Sequence, residues 1–294
     1  LYHKAVDIYE RVIREFDDED TAAKAQFNMA KTYVKMGDYV TAIRLFLKAR
    51  EKNYLEGMIS EIEYQIGNCL YLLNEYQDAG NVLGSFLVNE QGGDFTENAS
   101  FLLGDCFYKQ GNYLGAFQIL RKTIETYPKS NKTPYGMYCM AKSLKAMNMP
   151  ESAVKALREG IEAYPDDDCA GRMALEIANC YFERGDYWLA YNAFDSFVRQ
   201  YPRSDLVVEG MIGMADSLLN NKKYKEAINS YIELLKACNE KKIRQYAFNR
   251  IGECYRYMGK LEQAVKAYQM GLYSNEDTIH DARNTDDSLE CKDQ

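Results

Sequence analysis

Histidine is almost missing: the 294-residue chain has two, His3 and His280, one near each end. Zinc sites and histidine-dependent acid/base triads therefore have almost no material, and the sequence predicts no metal, no cofactor and no enzyme. The eight cysteines come no closer than the eleven residues between Cys169 and Cys180, so there is no CxxC pair for zinc, redox work or haem attachment. No apolar run approaches the roughly 20 residues that cross a bilayer, which argues against membrane insertion. No lysine- or arginine-rich block supplies the clustered cations that displace counterions from a nucleic acid, so no nucleic-acid partner is expected. Net charge is −8, of which −5 belongs to residues 274–294, leaving the body close to neutral. Tryptophan occurs once, at Trp188, and proline only five times.

Periodicity is what the chain has in place of these. Alanine recurs at Ala5, Ala42, Ala79, Ala116, Ala153, Ala190, Ala227 and Ala264, each 37 residues after the last. Twelve residues before each marker from the second onward stands another small residue: Ala30, Gly67, Gly104, Ala141, Ala178, Ala215 and Gly252. Large apolar residues come after both, as Tyr181 comes after Ala178 and Phe194 after Ala190. Ala174, Ile177, Ala178 and Tyr181 fall at i, i+3, i+4 and i+7, a helical stripe. Turns such as KMGDY, KQGNY and ERGDY offer a glycine to end one helix and an Asp or Asn to start the next. Each unit is thus a helix hairpin whose small residues let two backbones approach. Pro128, Pro165 and Pro202 stop the second helix, Gly92 and Gly93 do so elsewhere, and Ser130, Asp167 and Ser204 are placed to cap the first helix of the next hairpin.

This pattern resembles the tetratricopeptide repeat (TPR) family. The family's W-x2-L-G-x2-Y…A-x3-F…P signature is matched by Ile177, Ala178, Tyr181, Ala190, Phe194 and Pro202, with Ala174 in the tryptophan place. The 37-residue period and the YPxS junctions are similar to those of bacterial cell-envelope members: the Tol–Pal-associated periplasmic protein and the lipoproteins of outer-membrane assembly. The resemblance implies an all-α fold, a right-handed α-solenoid superhelix over residues 1–273 with seven full hairpins behind one leading helix, fifteen helices in all. Residues 274–294 form an acidic tail outside the period, expected to be flexible. Because the array opens on half a hairpin, further sequence upstream is expected.

In such arrays the first helices of the hairpins line a concave groove. By matching position, the groove here carries Phe27 and Lys31; Tyr64, Asn68 and Tyr71; Phe101 and Tyr108; Tyr135, Tyr138 and Lys142; Asn179 and Phe182; and Tyr246 and Tyr257. The same register adds Lys35, Lys109, Lys145, Leu175, Asp105, Asp216 and Leu219. Aromatic anchors separated by polar groups suit a protein segment laid in the groove. The slot that is lysine in TPR domains clamping chaperone C-termini holds no cation here, so that clamp is expected to be absent.

Cys69, Cys106, Cys180 and Cys254 share a slot with Thr32, Ser143 and Ser217, which predicts tight packing and free thiols. Trp188 sits in a slot of mixed residue types and is expected to be exposed. The Asp166–Asp168 run lacks the pattern of a calcium loop and reads as a solvated cap. The function expected is a non-enzymatic scaffold or adaptor in an envelope assembly, homo-oligomeric or not. The alternative is a structural spacer or oligomer subunit using convex faces and array ends. The junctions point to the periplasm, the unpaired cysteines to the cytoplasm.

Overall fold

The structure, a computed structural model, describes residues 2–16, 19–50, 58–90 and 92–273. The acidic tail, with His280 and Cys291, lies outside the described residues. Among these there are fifteen α-helices and no strand. A single helix, α1 (Tyr2–Glu15), precedes seven hairpins. The first helix of each, termed A, is α2 (Glu19–Met36), α4 (Ile59–Leu72), α6 (Thr96–Lys109), α8 (Thr133–Ala146), α10 (Asp168–Arg184), α12 (Val207–Asn220) and α14 (Lys241–Tyr257). The second, termed B, is α3 (Tyr39–Arg50), α5 (Tyr76–Asn89), α7 (Tyr113–Thr126), α9 (Pro150–Ala163), α11 (Tyr187–Gln200), α13 (Tyr224–Ala237) and α15 (Leu261–Leu272).

The turns inside the hairpins obey one rule. Positive φ occurs at Gly37, Asn74, Gly111, Asn148, Gly185, Lys222 and Gly259, so the left-handed residue keeps the 37-residue step even where glycine is replaced. Around Gly37, its own N–H bonds to Val34 O and the next N–H bonds to Tyr33 O; the same pair of bonds recurs at Asn74, Gly111 and the others. Orphan carbonyls at the end of each A helix are thereby satisfied. Asp38 Oδ1 then accepts from Thr41 N (3.1 Å) and Asn112 Oδ1 from Gly115 N (3.0 Å), as the sequence predicts. Asp186 departs from that pattern and pairs with Arg184 instead.

At the junctions, Asp167 caps α10 by accepting from Cys169 N (2.8 Å). Ser130 and Ser204 do not cap a helix. Their hydroxyls accept from Lys132 N and Leu206 N, closing a short turn one residue before the helices that begin at Thr133 and Val207. A loop bond from Thr133 N to Ser130 O occupies the place a cap would need.

The small-residue slots hold the hairpins shut. A Cβ added to Gly67 would lie 2.7 Å from Leu83, and one added to Gly104 would lie 2.5 Å from Leu120. Marker alanines from Ala42 to Ala227 are fully buried, as are Phe46, Leu83, Leu157 and Tyr231 in the large slot on the same helices. Each such side chain contributes roughly 1.5–3 kcal/mol of burial. None of the seven described cysteines is in a disulfide, and burial pushes the Cys69, Cys106 and Cys254 thiols up to about 12. Cys69, Cys106 and Cys254 are packing residues, protonated and unreactive at neutral pH.

Two compact units divide the array, Leu1–Ala156 and Leu157–Gln294. No helix among the described residues is long and apolar enough to cross a membrane.

Candidate functional site

In the first unit, α6 touches α4 and α8 as well as its hairpin neighbours, so successive A helices share one face. Side-chain contacts stitch that face together across the repeats. Lys31 Nζ on α2 lies 2.7 Å from Glu61 Oε1 on α4 and 5.2 Å from the Phe27 ring centroid. Tyr71 Oη on α4 donates to Asp105 Oδ2 on α6, and Cys139 Sγ on α8 reaches the other oxygen at 4.0 Å. Lys142 Nζ on α8 sits over two rings, Tyr108 at 5.2 Å and Tyr138 at 5.4 Å.

Most of these rings are backed by another. Tyr64 stacks on Phe95 with centroids 5.2 Å apart, Tyr71 meets Tyr76 edge-on at 5.5 Å, and Tyr108 lies 5.6 Å from Tyr113. Tyr135 and Tyr138 stand 6.3 Å apart on α8. The five tyrosines of the face keep part of their surface in solvent: Tyr135 is exposed, and Tyr64, Tyr71, Tyr108 and Tyr138 are half-buried, as is Asn68. Desolvation raises the Tyr64, Tyr71 and Tyr135 hydroxyls above their ordinary range; at Tyr71 the Asp105 carboxylate adds to the rise, and at Tyr135 Cys139 and then Asp105 do. They remain neutral donors over the whole physiological range.

The second unit repeats the carboxylate motif 111 residues on. Asp216 accepts from Tyr246 Oη at 2.6 Å and from the Tyr231 hydroxyl, with Arg250 Nε 3.8 Å away. The Tyr246 hydroxyl is pushed up to about 12 by desolvation and then by its bond to Asp216. Arg250 lies over the Tyr246 ring at 5.0 Å and donates to Glu253 at 2.9 Å. Phe182 packs edge-on against Tyr187 (5.5 Å), and Tyr257, which is exposed, stacks on Tyr224 (5.4 Å). Asn179 is half-buried.

Four apolar positions expected on the open face are core instead, and Asp105, expected there too, is buried. Phe27 is 1% exposed against Phe46, and Phe101 is 7% exposed beside Leu120 and Cys139. Leu175 and Leu219 are likewise buried. Phe27, Phe101 and Leu175 share the slot three residues before the small residue, where apolar side chains sink into the core, and Leu219 lies four residues after Ala215. Phe101 fits because Gly136 on α8 has no side chain: a Cβ there would come within 2.6 Å of the ring.

Groove register alone does not reveal the paired backing rings, although a five-residue aromatic step across the turn (Tyr71 to Tyr76, Tyr108 to Tyr113, Phe182 to Tyr187) signals them. Trp188 is exposed as expected and stacks on Tyr191 at 5.5 Å. Among the described residues no cluster of His, Cys, Asp or Glu is placed to hold a metal ion.

Segments 24–53, 98–130, 174–204 and 246–270 match the tetratricopeptide repeat family by its sequence model. They are the α2–α3, α6–α7, α10–α11 and α14–α15 hairpins, and the 37-residue step fills the hairpins between. No curated protein matches the sequence significantly. Among solved structures, the chain is similar to the C-terminal part of a TPR repeat-containing protein from Cytophaga hutchinsonii. That match has 17% identity, a TM-score of 0.68, and covers 86% of this chain and 98% of that one. A tetratricopeptide repeat protein from Parabacteroides merdae is similar over 88% of this chain and 96% of its own (14% identity, TM-score 0.61). MamA from Desulfovibrio magneticus, residues 41 to the end, is similar over 64% of this chain and 98% of its own (18% identity, TM-score 0.54). Identities this low establish the fold, an all-α solenoid of TPR hairpins.

Proposed function

We propose that this array of tetratricopeptide hairpins is a non-enzymatic scaffold that holds a protein segment against the A-helix face of its first unit. The observation that carries the proposal is the set of part-exposed tyrosines on α4, α6 and α8, each held in place by a second ring or by a hydrogen bond. Rings fixed in this way offer contact area without a further loss of side-chain freedom on binding. Nothing on the face resembles a nucleophile with its base, and the thiols of Cys69, Cys106 and Cys139 are buried. The test is affinity capture with the wild type and a Tyr108→Ala/Tyr138→Ala variant side by side. Partners should be lost from the variant while its melting temperature stays within a few degrees; retained partners, or equal loss of folding, would sink the proposal.

A second reading, an oligomer subunit joined through array ends, is favoured by one observation. Leu261, Val265 and Leu272 lie along one side of α15 and are 65%, 54% and 71% exposed. The equivalents of Val265 in two interior repeats, Val154 and Ile228, are buried. A dimer by light scattering that Val265→Glu converts to monomer would support this reading.

The 37-residue period and the YPxS junctions favour a bacterial envelope location for the scaffold. Fractionation of the full-length protein tests this, and recovery in the cytosol overturns it.

A further inference from the structure

We infer that residues 274–294 fold back on the last hairpin and cover a face shared by α14 and α15. The inference is independent of the docking face on the first unit. Charge divides sharply at this end of the chain. Residues 241–273 carry seven cations against Glu253 and Glu262, and residues 274–294 carry seven carboxylates against Arg283 and Lys292. Two of the cations are already engaged: Arg250 donates to Glu253 and lies beside Asp216, and Arg244 donates to the Leu235 carbonyl at 3.0 Å. The inference uses Lys242 and Arg256. Both are exposed; Arg256 lies over the neutral Tyr257 ring at 4.7 Å, and Lys242 has no ion pair among the described residues.

The two are part of one stripe. Lys242, Gln245, Asn249 and Arg256 stand at i, i+3, i+7 and i+14 on α14, and all four are exposed. A second, apolar stripe, Leu261, Val265 and Leu272, runs along α15. The helices meet beside both: a Cβ on Gly271 would lie 3.1 Å from Asn249 Oδ1 and 3.5 Å from the Gln245 carbonyl oxygen. Interior hairpins bury the matching positions. Phe101, in the slot of Asn249, sinks against Gly136 of the following hairpin, and Val154 and Ile228 are buried in the slot of Val265. The last hairpin therefore presents a face half cationic and half apolar. Residues 274–294 match it, with Ile279 and Leu289 set among the carboxylates. Because this segment follows α15 directly, it meets the face at high effective concentration. A cover tied by charge opens when salt displaces it.

The experiment places p-benzoylphenylalanine at Leu261 of the full chain, about 17 Å of helix away from Leu272. A mixture of unlabelled and isotope-labelled chains is irradiated, and adducts are identified by mass spectrometry. Adducts to peptides from 274–294 of the same chain should form. Their yield should fall at least about threefold when ionic strength rises from about 0.05 to 0.5 M. Lys242→Glu/Arg256→Glu should lower it by about as much at low salt, through like-charge opposition. Should that variant fail to fold, Asp286→Asn/Asp287→Asn, which leaves the hairpins untouched, should lower the same yield. Absence of adducts to 274–294 would overturn the inference, as would a yield unchanged by both salt and charge reversal. Adducts joining labelled to unlabelled chains would overturn it in favour of a second copy on this face.

Discussion

Asp105 is a carboxylic residue with 5% of its surface exposed, and the Tyr71 hydroxyl is what makes that position tolerable. Tyr71→Phe deletes one donor to a buried acceptor and should cost roughly 1–3 kcal/mol in urea denaturation, whereas a cost near zero would show that water serves as well. The thiols give a pH dependence with a definite sign. Their ordinary value is 9.0, and burial pushes Cys69, Cys106 and Cys254 up to about 12. Below about pH 9 both folded and unfolded chains hold these protons, so the thiols contribute no slope. Between about 9 and 12 the unfolded chain ionises first, and stability should fall as pH rises through that window. Thermal unfolding monitored by circular dichroism from neutral to alkaline pH checks this, and a flat profile would contradict it. Single positions also mark what periodicity does not convey. The 37-residue step tells which side of the helix Phe27 and Phe101 are on, but the depth to which each sinks is set by Phe46 and by the missing side chain of Gly136, partners distant in sequence.

Helices and turns are the most legible level, because their signals are local. Every A-to-B turn sits where the glycine register puts it, and Asn74, Asn148 and Lys222 adopt the same left-handed backbone without glycine. Lys222, at φ 62°, lacks the short polar side chain that eases this conformation in asparagine. Lys222→Gly should therefore raise stability by roughly 0.5–1 kcal/mol, and a loss would show that the lysine side chain contributes more than strain costs. Glycines inside helices divide by their surroundings. A Cβ on Gly213 would lie 2.4 Å from the Phe194 ring, so Gly213→Ala should destabilise by about 1–3 kcal/mol through overpacking. Nothing lies within 4 Å of a Cβ on Gly84, so Gly84→Ala should stabilise by about 0.5–1 kcal/mol. Denaturation midpoints of the two variants must move in opposite directions. Ser130 and Ser204 look like caps in the sequence because a serine before a helix fits two turns equally well, and only the backbone bonds from Thr133 to Ser130 and from Val207 to Ser204 distinguish them.

For the whole molecule, the period announces the architecture: eight equally spaced alanines require a repeating packing unit, and such arrays use their surfaces to hold other proteins. The docking face is half-visible in the sequence, which aligns its tyrosines but does not show the rings that back them or the burial of Asp105 beneath Tyr71. The central claim, that a protein segment docks on the A-helix face of the first unit, is tested most directly by photo-cross-linking. p-Benzoylphenylalanine is placed singly at Tyr135 and Lys109 on that face, and at Trp188 and Val265 away from it, and irradiated with a partner recovered by capture. Adducts at positions 135 and 109, with none at 188 or 265, are the predicted result; adducts confined to 188 or 265 would contradict the account.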